Sequence, residues 1–135
     1  MTKDIQQFIS KRPRNESSDV WYIASPYSHP DPEVVKKRVK GVTQAVKAII
    51  ENNRAVVPFS PILYADRIQQ DVTPEMGWYA FDLPFLARAD RLIVLQLQGW
   101  ETSMGITMEI AFALGKGIPI SYFTLPELKS SGIPF

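Results

Sequence analysis

The stretch that most constrains this chain is Arg91-Leu-Ile-Val-Leu-Gln-Leu97, whose apolar residues run on without alternation. A strand with one wet face alternates apolar and polar residues. An unbroken apolar run is instead covered on both faces, as in the interior of a parallel sheet. Three further segments read as strands: Val20–Ala24, Ala55–Phe59 and Ile118–Phe123. Helical signals separate them. Asp31-Pro32-Glu33 supplies an N-cap, a proline for the first position and an acid for the positive end of a helix. Val35, Val39, Val42, Val46 and Ile49 then share one helical face. Lys36, Lys37, Arg38, Lys40 and Lys47 fall mostly elsewhere and read as a solvated surface, with Arg38 to watch in the first half of that helix, toward the preceding loop. A loop is expected from Phe59 through Thr73, then an aromatic helical segment from Pro74 to about Ala89, interrupted at Pro84. A last helix is expected from Thr102 to Leu114, closed by Gly115 and Gly117, with only a short tail after the final strand.

Strands alternating with helices imply β-α-β units with right-handed crossovers. The expected fold class is α/β: a flavodoxin- or Rossmann-like three-layer sandwich with a four- or five-stranded parallel sheet of order 2-1-3-4. At 135 residues the chain fits one domain, assigned to residues 20–135, with residues 1–19 as an exposed N-terminal arm. Such sheets bind ligands beyond the carboxyl ends of their strands, near the switch between strands 1 and 3. That singles out the loop 25–30, the loop 59–73, residues 78–82 and the turn 98–105.

Composition narrows the chemistry. A net charge of +1 offers no general attraction to nucleic-acid polymers or anionic membranes, so any phosphate recognition is local. Cysteine is absent and histidine occurs once, which excludes thiol nucleophiles and argues against a protein-ligated zinc. No metal and no cofactor are expected. No apolar run approaches the roughly 20 residues of a membrane span, and the first residues lack the apolar centre of a signal peptide. A cytoplasmic protein is the expectation.

Two carboxylates stand in apolar surroundings. Glu109 is the only charge between Met104 and Leu114, and Asp82 the only charge between Gly77 and Ala87. Packing on a sheet would partly dehydrate either, raising its pKa and making it a candidate for chemistry. Each also has a plain structural reading: Glu109 on a solvent-facing stripe, Asp82 as the N-cap of a new turn carrying Pro84. Trp78, one helical turn before Asp82, is either core or a flat surface for a base. Ser103 begins the last helix, either as a simple N-cap or where a phosphate is received. His29, the lone histidine, lies near Ser25 and Ser28 at the tip of strand 1, either exposed or a phosphate contact.

Together these pieces resemble the nucleoside 2-deoxyribosyltransferase superfamily, which includes the 2'-deoxynucleoside 5'-monophosphate N-glycosidases and small phage and bacterial relatives. The likeness covers about residues 20–121. It rests on Trp21-Tyr-Ile-Ala-Ser-Pro-Tyr-Ser-His29, on Asp82 followed eight residues later by Asp90, and on Gly99 through Ala113. Ser103, Gly105, Glu109 and Ala113 match the family's polar-x-Gly-x-x-x-Glu-x-x-x-Ala pattern. The resemblance implies that Glu109 attacks the anomeric carbon, that Tyr22 orients it, and that Asp82 contacts the base and helps protonate it as it leaves. Ser25, Tyr27, Ser28, His29, Trp78, Ser103 and Gly105 are the implied substrate contacts. Transferases for free nucleosides carry a carboxylate at the position of Ser103, and the monophosphate N-glycosidases a serine, so Ser103 favours a 5'-monophosphate. The glycosidases' arginine-containing first loop is replaced here by Pro26-Tyr27-Ser28-His29, which leaves phosphate charge to His29, Arg38 or a neighbouring subunit.

The expected activity is cleavage, or base exchange, at the N-glycosidic bond of a nucleoside or deoxynucleoside 5'-monophosphate through a covalent glycosyl-Glu intermediate. The alternatives are a nucleotide-binding sensor without turnover and a glycohydrolase for a dinucleotide such as NAD. The missing Gly-x-Gly-x-x-Gly loop speaks against the last. Relatives assemble as dimers or larger oligomers, and the aromatic segment Trp78-Tyr79-Phe81-Phe85 is the expected interface.

Overall fold

A computed structural model of the chain describes residues 13–53, 55–68, 74–75 and 77–130. The expectations for residues 1–12 of the arm, for 69–73 of the second loop and for the end of the tail lie outside the described residues. Four strands, β1 (Asp19–Ala24), β2 (Val56–Phe59), β3 (Arg91–Leu95) and β4 (Ile120–Phe123), form one sheet of order β2-β1-β3-β4. Every pairing is parallel, with Tyr22 level with Phe59 on one side and Leu92 on the other. Leu92 to Leu95 of β3 are each fully buried, as an apolar run covered on both faces requires.

Period-two alternation along β1 sends Trp21 and Ile23 to one face and Tyr22 and Ala24 to the other. The first face packs against α1 (Pro32–Asn52), α2 (Pro61–Ile68) and α5 (Leu125–Lys129) around Val42, Ile49 and Phe123. The second carries α3 (Gly77–Ala87) and α4 (Met104–Lys116) around Leu86, Ile106 and Ala113. Fully burying one such side chain contributes about 1.5–3 kcal/mol, so these two layers dominate stability.

Local chemistry explains each helix. Asp31 caps α1 by accepting the Glu33 N–H at 2.9 Å, with Pro32 at the first position. The deepest stripe of α1 is Gly41, Val42, Ala45, Ala48 and Ile49, while Val35, Val39 and Val46 are only half-buried. Small residues let the helix approach: a Cβ on Gly41 would lie 3.0 Å from the Leu97 methyl groups. Helix α4 is capped by the Ser103 hydroxyl, which accepts the Ile106 N–H, and ends on Gly117 at φ 72°. Trp100–Thr102, whose last residue was expected to open this helix, forms a separate 3-10 turn entered through Gly99 at φ 91°.

Three expectations are corrected. The loop after β2 contains α2, because Ser60 accepts the Leu63 N–H at 3.2 Å and Pro61 stands at the first helical position. The tail contains α5, opened by a capping box in which Thr124 and Glu127 satisfy each other's backbone N–H groups. Pro84 does not interrupt the aromatic segment: α3 runs through it, on the helix's exposed side and near its end, where a missing N–H costs one bond. Strands are also one or two residues shorter than read at β2, β3 and β4. Residues 13–17 are exposed, yet the Arg14 guanidinium donates to the carbonyls of Val56, Ile50 and Asn53 at 2.8–2.9 Å.

Candidate active site

Tyr22 points from β1 toward α4, and its hydroxyl donates a short hydrogen bond to Glu109 Oε2. Both are buried, Tyr22 at 1% and Glu109 at 8% exposure. The solvent-facing alternative for Glu109 is therefore excluded: residues 106, 109 and 113 form the inward stripe of α4. A neutral phenol holds the carboxylate's direction while leaving its charge uncompensated. Burial pushes Glu109 up to about 7; the Tyr22 bond opposes that rise and the charge of Asp82 adds to it. Burial, with the adjacent Glu109, pushes the Tyr22 phenol far above its ordinary value, so it remains a donor across the physiological range.

Glu109 forms one wall of a cleft of about 450 Å³ between α2, α3 and the loops that follow β1 and β3. This is the crevice at the switch point, where β1 is flanked by β2 on one side and β3 on the other. Asp82 lines the same cleft from α3. It sits inside the helix rather than at an end, so it caps nothing, and it is 7% exposed. Burial raises Asp82 to about 6. Its Oδ1 has no hydrogen-bond partner among the described residues, and neither does Ser25 Oγ, which also lines the cleft and is 5% exposed. A buried acceptor without a donor costs about 1–3 kcal/mol, a cost that a bound group bearing N–H or O–H would remove.

The third side of the cleft is polar. Ser103 and Gly105 start α4 there; a methyl group on Gly105 would lie 3.9 Å from Ser103 Oγ. The N-cap reading and the ligand-receiving reading of Ser103 coexist, because the hydroxyl oxygen accepts the Ile106 N–H at 3.3 Å and its own proton stays available. Tyr27, Ser28 and His29 line the cleft from the loop after β1. The Tyr27 hydroxyl donates to Asp66 Oδ1 at 2.8 Å, tying that loop to α2, and His29 Nδ1 accepts the Asp31 N–H at 3.0 Å. Arg38 closes the arrangement. Its guanidinium donates to the carbonyl of Ser28 at 2.8 Å and, at longer range, to those of Tyr27 and Gln98, joining the loops after β1 and β3.

All four regions expected to carry the chemistry reach this cleft. Trp78 lines it one turn from Asp82, half-buried, and edge-on to Phe81 and Tyr64. Phe81 and Phe85 instead turn outward at 39% and 42% exposure, beside an equally exposed Tyr64. Sequence reasoning did not single out Asp66 or Thr102, and it placed Tyr79 only in an interface. Tyr79 lines the cleft and donates to the Met108 carbonyl at 3.3 Å, linking α3 to α4. Asp66 was hidden because α2 itself reads as loop; the Ser60-Pro61 cap was the signal. Among the described residues no group of acidic or histidine side chains could hold a metal ion, and no helix is long and apolar enough to cross a membrane.

Residues 19–125 match a family model whose description is Domain of unknown function (DUF1937). No curated protein matches the chain.

Proposed function

The chain belongs to the DUF1937 family, and we propose that it cleaves the N-glycosidic bond of a nucleoside 5'-monophosphate through a covalent glycosyl-Glu109 intermediate. One observation carries this reading: a buried carboxylate, fixed by the Tyr22 hydroxyl and sharing a nucleotide-sized cleft with a second buried carboxylate. Pure binding has no use for such a pair, since two like charges out of water cost stability.

The steps use groups already in place. Glu109 attacks the anomeric carbon, the carbon–nitrogen bond breaks, and its electron pair passes to the departing base. The base takes a proton from Asp82, because an anionic purine or pyrimidine departs poorly. Water then attacks the anomeric carbon of the glycosyl ester, gives its proton back to Asp82, and frees Glu109 and the sugar. The reactive form holds one proton for the two carboxylates, on Asp82, with Glu109 as the anion. Elevated pKa values of about 6 and about 7 put a one-proton pair near neutrality; the proton resides mainly on Glu109, the weaker acid, and the reaction draws on the minor arrangement that places it on Asp82. Trp78 offers a face for the base, and the unpartnered Asp82 Oδ1 an acceptor for its N–H. The Ser103 hydroxyl at the start of α4 supports a phosphate at the sugar 5' position, where a carboxylate would repel it.

The deciding assay incubates the protein with nucleosides, their 5'-monophosphates and NAD, and chromatographs for free base. Monophosphates are expected to release base, and Glu109→Ala to abolish the release. Release that persists in Glu109→Ala refutes the mechanism, and tight binding without any turnover converts the reading into that of a nucleotide sensor.

A further inference from the structure

A second groove of about 520 Å³ adjoins the cleft and shares His29, Arg38, Gly99 and Thr102 with it. Beyond Arg38 it is lined by Lys37, Val34, Leu97 and Gln98, and no carboxylate is among its lining residues. Arg38 and Lys37 have no acidic partner among the described residues; the guanidinium meets only backbone carbonyls, which hold its direction but not its charge. Arg38 Nε is buried and without a hydrogen bond among the described residues. Gly99 makes room for this arrangement, since a Cβ there would lie 2.4 Å from Arg38 Nη2. A cation held in place, uncompensated, at the junction of two cavities is suited to an anion that spans both.

We infer that the second groove binds phosphate groups beyond the first, so that the ligand is a nucleoside 5'-di- or triphosphate. The reading rests on the proposed function for the nucleoside end and on the groove alone for the rest. In it the base and sugar occupy the cleft beside Asp82 and Glu109, the first phosphate lies at Ser103, and the chain of phosphates passes Arg38 toward Lys37. Arginine gives direction to phosphate oxygens, and the lysine ammonium adds charge at the far end.

Three ligands separate the possibilities, each titrated into the full chain by calorimetry: a nucleoside monophosphate, the matching triphosphate, and inorganic tripolyphosphate. The triphosphate is expected to bind at least tenfold tighter than the monophosphate. Lys37→Glu, on an exposed helical position, is expected to erase that ratio while leaving monophosphate affinity within twofold. Tripolyphosphate is expected to bind the parent chain and to lose tenfold or more in Lys37→Glu. Equal affinities for mono- and triphosphate, or a Lys37→Glu loss shared equally by both, overturn the groove assignment. Base release from monophosphates with no gain from added phosphates sinks the groove alone. Tripolyphosphate binding that depends on Lys37, with no base released from any nucleotide, sustains the groove and sinks the glycosidase reading.

Discussion

Replacing Glu109 with glutamine tests the dehydration on which the site depends, independently of any substrate. In the folded chain the Glu109 carboxyl is raised from 4.5 to about 7 by burial. The folded state thus binds more protons than the unfolded state between those values, and stability falls as pH rises through the same window. The sign is that of an acid raised on folding: the carboxyl is tolerated below about 4.5, increasingly costly up to about 7, and costly by a constant amount above. Linkage over a shift of that size gives a loss of about 2–3 kcal/mol between pH 5 and pH 8 from this group alone. The substituted amide does not titrate, and it keeps an oxygen for the Tyr22 hydroxyl. Burying that amide adds a pH-independent penalty that cancels when the two pH values are compared. Asp82 titrates in both proteins and cancels to first order. Urea unfolding of both proteins at pH 5 and pH 8 measures the effect. The Glu109→Gln variant is expected to gain about 2–3 kcal/mol on the parent between the two pH values, a relative midpoint shift of about 1–1.5 M for a typical urea slope. A stability difference identical at both pH values would show that Glu109 is ionised without penalty, and the case for a dehydrated nucleophile would fall.

Tyr22→Phe removes a hydrogen bond to a charged group worth about 1.5–3 kcal/mol, so the Glu109 pKa should climb by about 1–2 pH units. The upper limb of the base-release profile, set by the higher of the pair's two pKa values, then moves up in pH by that amount, and an unmoved limb would deny Tyr22 its positioning role. Ser103→Asp keeps a good N-cap for α4 and so should fold normally; it is expected to cut activity on monophosphates by about tenfold or more while sparing free nucleosides, and unchanged selectivity in steady-state assays would remove the phosphate assignment. Gly99→Ala forces an alanine to φ 91° and displaces the Arg38 guanidinium, at a cost of about 1–2 kcal/mol, visible as a melting point lower by several degrees. An unchanged melting point would mean that the turn and Arg38 are not coupled.

The sheet was legible in the chain because its signals are local. An unbroken apolar run, short β-rich segments and caps at Asp31, Ser103 and Gly117 define parallel strands and their helices, and handedness leaves few orders for them. The caps at Ser60 and Thr124 were equally local, and α2 and α5 follow from them. Local composition placed Glu109 and Asp82 on apolar helices, but a helix has two sides, and a lone acid suits either. Only the assembled sheet decided that Glu109 faces Tyr22, 87 residues away in the chain, and that Asp82 stays inside α3 with an unmet oxygen. The same holds for Arg38, a member of a basic helix by composition and a bridge between two loops by geometry. Spacing along a chain reports which residues share a face; what that face meets is set by crossings that bring distant segments together, and dehydration, the source of the reactivity proposed here, exists only once they have met.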